Sequence, residues 1–350
     1  MQLPPGLQRA IGQELAACDP ARLRAACARL SLGYREAMES AAATASSLQP
    51  SLPNALSTPE LRAAYLGVRM PATFAAAVAA LGWTRQACGL ESREEFRSVL
   101  DLGSGSGTAL WAATQSFPSL ESATALERDP RMIEIARRLG SQSEHRALRE
   151  ARWVQGDLTA TLPEGAWDLV VCAYALNELG EAGRSGLIRQ AWARTAKVLL
   201  VVEPGTKAGF ANVLGVRTRL LAAGATLAAP CPNSLGCPMA GGSDWCHFAA
   251  RIERTAEHRR LKDATLGHED EKFSYAAFMR GAQLDATPSD AQPDEKSAGS
   301  PARIVRHPKI FSGYTRLVLC REGEIAYTTI TRSKKEDWRR LKRLGWGDRW

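Results

Sequence analysis

Three carboxylates and one glycine run are the first residues in this chain whose types and spacing suggest chemistry. The run is Asp101-Leu-Gly103-Ser104-Gly105-Ser-Gly107. Glycines let a backbone approach a ligand without a Cβ in the way. A strand that turns through such a loop into a helix sets its ligand at the helix N-terminus. The dinucleotide spacing Gly-x-Gly-x-x-Gly fails here, because counting from Gly103 puts Thr108 at the third glycine. Asp101 at the head of the loop repels a pyrophosphate and suits the ammonium group of an amino acid. Glu127 follows at the end of the next apolar run, where a carboxylate accepts both ribose hydroxyls. Asp157, followed by Leu158, closes a third run and can accept from an adenine amino group. The ligand fitting all three is a nucleoside joined to an amino acid. The competing role for Glu127 and Asp157 is helix N-capping.

Four cysteines form the second constellation, spaced Cys231-x5-Cys237-x8-Cys246-x73-Cys320. Four thiolates hold either a tetrahedral zinc ion or an iron–sulfur cluster. Zinc sites favour closer pairs, so the wide spacing leans toward a cluster. His247 could take the place of Cys320 in a Cys3His zinc site. Cys18, Cys27, Cys88 and Cys172 lie in apolar or helical stretches and read as small core residues. With no export signal at the start, eight cysteines do not suggest a disulfide framework. The loop Tyr174-Ala-Leu-Asn177-Glu178-Leu179 is the third feature. Asn177 or Glu178 could orient an acceptor there, or merely cap a helix. The turn Glu203-Pro-Gly-Thr206 borders the same region.

The elements that must position these groups follow from periodicity. Residues 1–94 read as an N-terminal helical domain, with Asp19-Pro20 and Thr58-Pro59 as helix starts and a Ser/Pro-rich loop at 48–59. Strands are predicted at Ser98–Leu102, Ser122–Leu126, Ala151–Gln155, Trp167–Ala173 and Lys197–Val202, with helices from Thr108, Pro130 and Ala182. That alternation means a parallel sheet covered on both faces, an α/β core over 95–230. Residues 231–280 form a cysteine-rich insertion with a basic amphipathic helix at 249–266. Residues 281–301 read as a linker, and 302–331 as a hairpin closing the core sheet and carrying Cys320. No run of apolar residues reaches a membrane-spanning length.

The net charge is +8, and residues 332–350 account for most of it. Eight Lys and Arg there face three Asp and Glu, with Trp338, Trp346 and Trp350 interleaved. Basic side chains with aromatic faces suit RNA. Arg251, Arg254, Arg259, Arg260 and Lys262 would extend that surface, unless the interleaved Glu253, Glu257 and Asp263 make it an ordinary solvated face.

The stretch holding the three carboxylates resembles class I S-adenosylmethionine (SAM) dependent methyltransferases. That resemblance implies a Rossmann-like sheet of seven strands with a reversed last strand. The segments Arg69-Met-Pro-Ala-Thr73, Leu176-Asn-Glu-Leu179, Val202-Glu-Pro-Gly-Thr206, Ala229-Pro-Cys-Pro, Asp244-Trp-Cys-His-Phe248 and Glu269-Asp-Glu-Lys-Phe-Ser-Tyr275 narrow it. They resemble the methyltransferase-like family of the mitochondrial ribosomal small subunit, which has bacterial members. The resemblance begins near residue 60 and implies a [4Fe–4S] cluster on Cys231, Cys237, Cys246 and Cys320. It implies association with the small ribosomal subunit and its rRNA, in assembly or translation, with rRNA as the acceptor if methyl is transferred. The expected chain is monomeric off the ribosome and binds no membrane. Its expected compartment is the cytoplasm in a bacterium or the mitochondrion in a eukaryote. The alternative is an active methyltransferase on a small molecule or protein, with zinc as a fold staple.

Overall fold

Short, almost continuously buried apolar runs become strands of one sheet, and their two faces feed two separate cores. The computed structural model describes residues 1–43, 56–89, 96–262, 264–281 and 301–350. The expected linker at 281–301, apart from its end residues, and most of the expected loop at 48–59 lie outside the described residues. Strands β1 (Ser98–Leu102), β2 (Ser122–Glu127), β3 (Arg152–Gln155), β4 (Trp167–Ala173) and β5 (Thr195–Pro204) run parallel in the order β3-β2-β1-β4-β5. Leu169, Val171, Leu200 and Val202 point to one core, while Val170, Cys172, Leu199 and Val201 point to the other. The chain order reverses between β1 and β4, so the crevice at their carboxyl ends is where a ligand belongs in an open sheet.

Helices α1 (Pro5–Ala16), α2 (Pro20–Ala43), α3 (Pro59–Val68) and α4 (Met70–Ala87) precede the sheet. Asp19 Oδ1 caps α2 by accepting from Ala21 and Arg22 N–H at 3.0 and 2.9 Å, and Thr58 Oγ1 caps α3. Leu66, Met70 and Phe74 share a core with Val99, Val171 and Val202, so these helices do not stand apart from the sheet. Among the described residues no single helix is long and apolar enough to cross a membrane. The bent pair α3–α4 passes by length and composition together, and it is buried against the sheet.

The sheet departs from the expected seven strands. It has eight, because strand β8 (His268–Met279) runs antiparallel beside β5 and is long enough to carry two further partners. Strand β6 (Thr226–Ala229) pairs with its C-terminal half and β7 (Phe248–Glu253) with its N-terminal half. This corrects two expectations. Residues 249–266 are not one basic helix: Ala250 and Ile252 point inward in β7 while Arg251 and Glu253 point out, a period of two. Among the described residues of that stretch, only Ala256–Lys262 is helical. The hairpin does not close the core sheet either, because β8 already occupies the edge of β5, and β6 and β7 occupy the far edge of β8.

The hairpin instead builds a second sheet. Strands β11 (Tyr314–Arg321) and β12 (Glu324–Thr331) turn through Glu322 and Gly323, both with positive φ, as a two-residue hairpin needs. Strands β9 (Ala302–Ile304) and β10 (Lys309–Ile310) both pair with β11. The basic tail is part of this unit and not a free segment. Leu341 is buried with Ile304, Leu317, Leu319 and Ile330, with Trp338 and Trp350 packed alongside. Arg303, 2 % exposed, donates to the carbonyls of Pro230 (2.7 Å) and Gly347 (2.8 Å) and so ties this unit to the cysteine segment. Replacing Arg303 by Met strands both carbonyls and is expected to cost about 2–4 kcal/mol. A lower denaturant midpoint would register that loss, and an unchanged midpoint would show that water replaces the guanidinium.

Candidate cofactor cavity and cysteine centre

The three glycines of the first loop all adopt positive φ: Gly103 at 73°, Gly105 at 54° and Gly107 at 81°. At Gly103 an added Cβ would also come within 2.9 Å of the Ala175 Cβ, so side chains there would close the crevice. The loop lines one cavity with Asp101, Gly103, Ser104, Gly105, Glu127, Asp157 and Leu158, seven of the eight residues expected to bind a nucleoside. Gly107 is the eighth, and it stands behind the loop as the N-cap of helix α5 (Thr108–Ser116).

Each acid is prepared differently. Glu127 is clamped by backbone: its Oε2 accepts from Gly105 N–H at 2.8 Å and its Oε1 from Asp129 N–H at 2.9 Å. It caps no helix. Asp129 does that for helix α6 (Pro130–Ser141), accepting from Arg131 N–H. Asp157 accepts from the Thr159 hydroxyl (2.6 Å) and N–H (2.7 Å), and these two bonds hold its carboxyl below the usual range. Asp101 is 1 % exposed, and its Oδ2 has no partner. Burial first, and then the neighbouring charge of Glu127, push its pKa up to about 8. A buried carboxyl without a partner is costly unless a ligand supplies one.

The loop after β4 divides its two expected residues. Glu178 lines the cavity and pairs with Arg128 at 3.0 Å. Asn177 does not. Its Oδ1 accepts from Asn212 Nδ2 at 2.9 Å, in a buried network that includes Glu203. Glu203 Oε1 also accepts from Leu176 N–H, so this network fixes the loop from behind. The expectation that Asn177 orients an acceptor is therefore corrected: its side chain is turned into the core.

The structure adds a group that sequence reasoning missed. Arg69 makes a two-pronged pair with Glu271 (3.0 and 3.2 Å), and the Tyr174 hydroxyl lies 3.4 Å from the same carboxylate. Tyr174 lines the cavity and holds a φ of 59°, a left-handed conformation unusual for a bulky residue. Arg69 and Glu271 are 202 positions apart, so no local spacing could have paired them.

The four cysteines Cys231, Cys237, Cys246 and Cys320 meet around a second, mainly apolar cavity beside β8. His247 is not among its lining residues; its ring stacks on Trp245 and meets Trp346 edge-on. Among the described residues, no three His, Cys, Asp or Glu side chains close up into a group that could hold a metal ion. The thiols surround a space. Burial pushes Cys246 well above its ordinary value and Cys320 up to about 12. Burial raises Cys231 too, against the opposing influence of Arg217 and Arg303. The Tyr275 hydroxyl and Arg217 Nε are buried near them without partners. Cys27 and Cys172 are buried in the main cores, as expected of small apolar residues.

The ribosome assembly protein METTL17 of Homo sapiens, a mitochondrial protein, is 26% identical over 270 residues, 72% of this chain and 55% of its own. The mitochondrial Rsm22-cox11 tandem protein 2 of Schizosaccharomyces pombe is 24% identical over 71% of this chain and 38% of its own. The chain thus spans about half or less of the length of these curated relatives. Among solved structures, an O-methyltransferase family protein from Burkholderia thailandensis is 18% identical over 48% of this chain and 55% of its own, with a TM-score of 0.38. Magnesium protoporphyrin IX methyltransferase from Synechocystis, solved with bound SAM, is 11% identical over 56% of this chain and 76% of its own, with a TM-score of 0.35. The model of the family described as mitochondrial small ribosomal subunit Rsm22 matches residues 59–350, and this chain belongs to that family.

Proposed function

We propose that this chain is a SAM-binding factor that works on the small ribosomal subunit, in its assembly or in translation, and carries a [4Fe–4S] cluster. The observation that carries the SAM reading is Asp101: a buried carboxyl with a bare oxygen, at the head of a glycine loop, in a cavity that Glu127 and Asp157 also line. An ammonium group supplies the partner that Asp101 lacks, Glu127 takes the ribose and Asp157 the base. The ribosomal partner rests on family membership and on the relative that is a ribosome assembly protein.

The cavity favours binding over transfer. Glu178 is paired with Arg128, the Tyr174 hydroxyl meets Glu271, and Asn177 faces the core. Those engagements leave none of the three as a ready base toward an acceptor. Methyl transfer to rRNA is the second reading. The donor set of the second cavity fits a cluster better than zinc. Four thiols bordering a space suit a cubane, which is wider than a single ion. Arg217 and Arg303 offset its negative charge. A cluster bound there supplies a cross-link between the 231–246 segment and β11.

Radiolabelled SAM and purified small ribosomal subunits test the proposal on one preparation. Saturable SAM binding and co-sedimentation with the subunit are expected. Absence of SAM binding would end the cofactor reading, and absence of co-sedimentation the ribosomal one.

A further inference from the structure

The outward face of the second sheet has a composition that the cofactor cavity and the cysteine centre leave unexplained. One face of this sheet buries Thr315, Leu317, Leu319 and Ile330. On the other face, Tyr327 is 82% exposed and directly opposite Val318. One step along β11 lies Arg316, exposed. It sits 5.5 Å from the ring centres of both Phe311 and Tyr314, which stack on each other at 4.7 Å and 15°. Phe311 is 39% exposed. Large apolar groups so exposed in a cluster mark a surface that meets something.

Charge says what it meets. Lys309 on β10 stands directly across from Arg316 on β11. Like charges in that position repel, and among the described residues neither has an ion pair. An anion between them removes the repulsion. Residues 301–350 hold thirteen Lys and Arg against five Asp and Glu. Their net +8 equals that of the whole chain, so all of its excess charge lies in this unit. In the basic segment near 251–262, three of the five cations are already paired. Arg251 is paired with Asp270, and Arg254 and Lys262 with Glu269.

We propose that this face binds single-stranded RNA, with unpaired bases stacked on Tyr327 and on the Phe311–Tyr314 pair and a backbone phosphate held between Lys309 and Arg316. A stacked aromatic pair and a separate exposed ring on one face, with cations beside them, match bases that alternate with phosphates. A duplex hides its base faces and cannot use the rings. The inference rests on the ribosomal reading above and names the surface and form of RNA within it.

Fluorescence anisotropy of the full chain with a labelled oligouridine, and with an RNA duplex of the same length, tests it. The single strand is expected to bind more tightly. Tyr327→Ala is expected to weaken it by on the order of tenfold, while Tyr327→Phe keeps the affinity. Arg316→Ala is expected to reduce the salt slope by about one. Tyr327 is exposed, so the thermal midpoint of each variant should match that of the parent, which separates lost binding from lost fold. Equal binding of duplex and single strand, or unchanged affinity in Tyr327→Ala, overturns the proposal. So does a Tyr327→Ala chain that keeps its RNA affinity yet no longer co-sediments with the subunit, because the face then meets protein. If the parent chain binds oligouridine yet fails to co-sediment, the ribosomal reading falls instead.

Discussion

Replacing Asp101 by Asn is expected to abolish SAM binding and, at the same time, to make the empty protein more stable. Both follow from one buried carboxyl whose pKa lies near 8. Unfolded, an aspartate ionises near pH 4. Folded and empty, Asp101 resists ionisation, so stability falls as the pH rises from the unfolded value toward 8. Asn has the same shape and no charge to bury, so the thermal midpoint at pH 8 should rise. The ligand reverses the balance. SAM brings a cation, and Asp101 must be ionised to receive it. Affinity should therefore increase with pH up to about 8. Above that the amino group of SAM loses its own proton, since α-amino groups titrate at about 8, and affinity should fall. Calorimetric titrations from pH 6 to 9 on both proteins would test this. A flat wild-type profile, or wild-type affinity in Asp101→Asn, would sink the role given to Asp101.

Protein purified without oxygen is expected to be brown and to contain iron and acid-labile sulfide in equal amounts. Cys246→Ser is expected to lose both. Its loss should also lower stability, because a metal centre held by a folded site adds its binding energy to folding. The cross-link joins a loop at 231–246 to a strand at 314–321. A loss of about 3 kcal/mol corresponds to roughly 4 °C in thermal midpoint for a chain this long. Cys27→Ser serves as the control, since Cys27 sits in a helical core and should keep its iron content. One bound zinc and no iron would replace the cluster with the zinc staple.

What could be read from the sequence was what is local or periodic. Strand β1, its glycine loop and the three carboxylates lie on consecutive βα units, so position along the chain nearly fixes position in space. The hairpin within 302–331, though not its place in the fold, was legible for the same reason. The strand β7 was mistaken for a helix because basic residues at 251, 254 and 259 fit a helical face by count, while Ala250 and Ile252 record a strand by burial. Strand β8 hid because two of its pairings are distant: its partners β5 and β6 come from segments far back in the chain. The same distance concealed the Arg69–Glu271–Tyr174 contact. Asn177 misled because a loop residue can turn either way, and only the position of Asn212 on helix α7 (Lys207–Ala222) decides it.

The long antiparallel strand also sets a timetable. β5 is among the most apolar strands of the sheet, and its outer edge is covered only by β8. Sixty-three residues separate Pro204 from His268. At synthesis rates of roughly 5–20 residues per second, that edge stays unpaired for several seconds after β5 has emerged. An apolar strand with open hydrogen-bonding groups is a template for wrong pairing. The interval between those two strands is when the nascent chain most needs shielding from its neighbours.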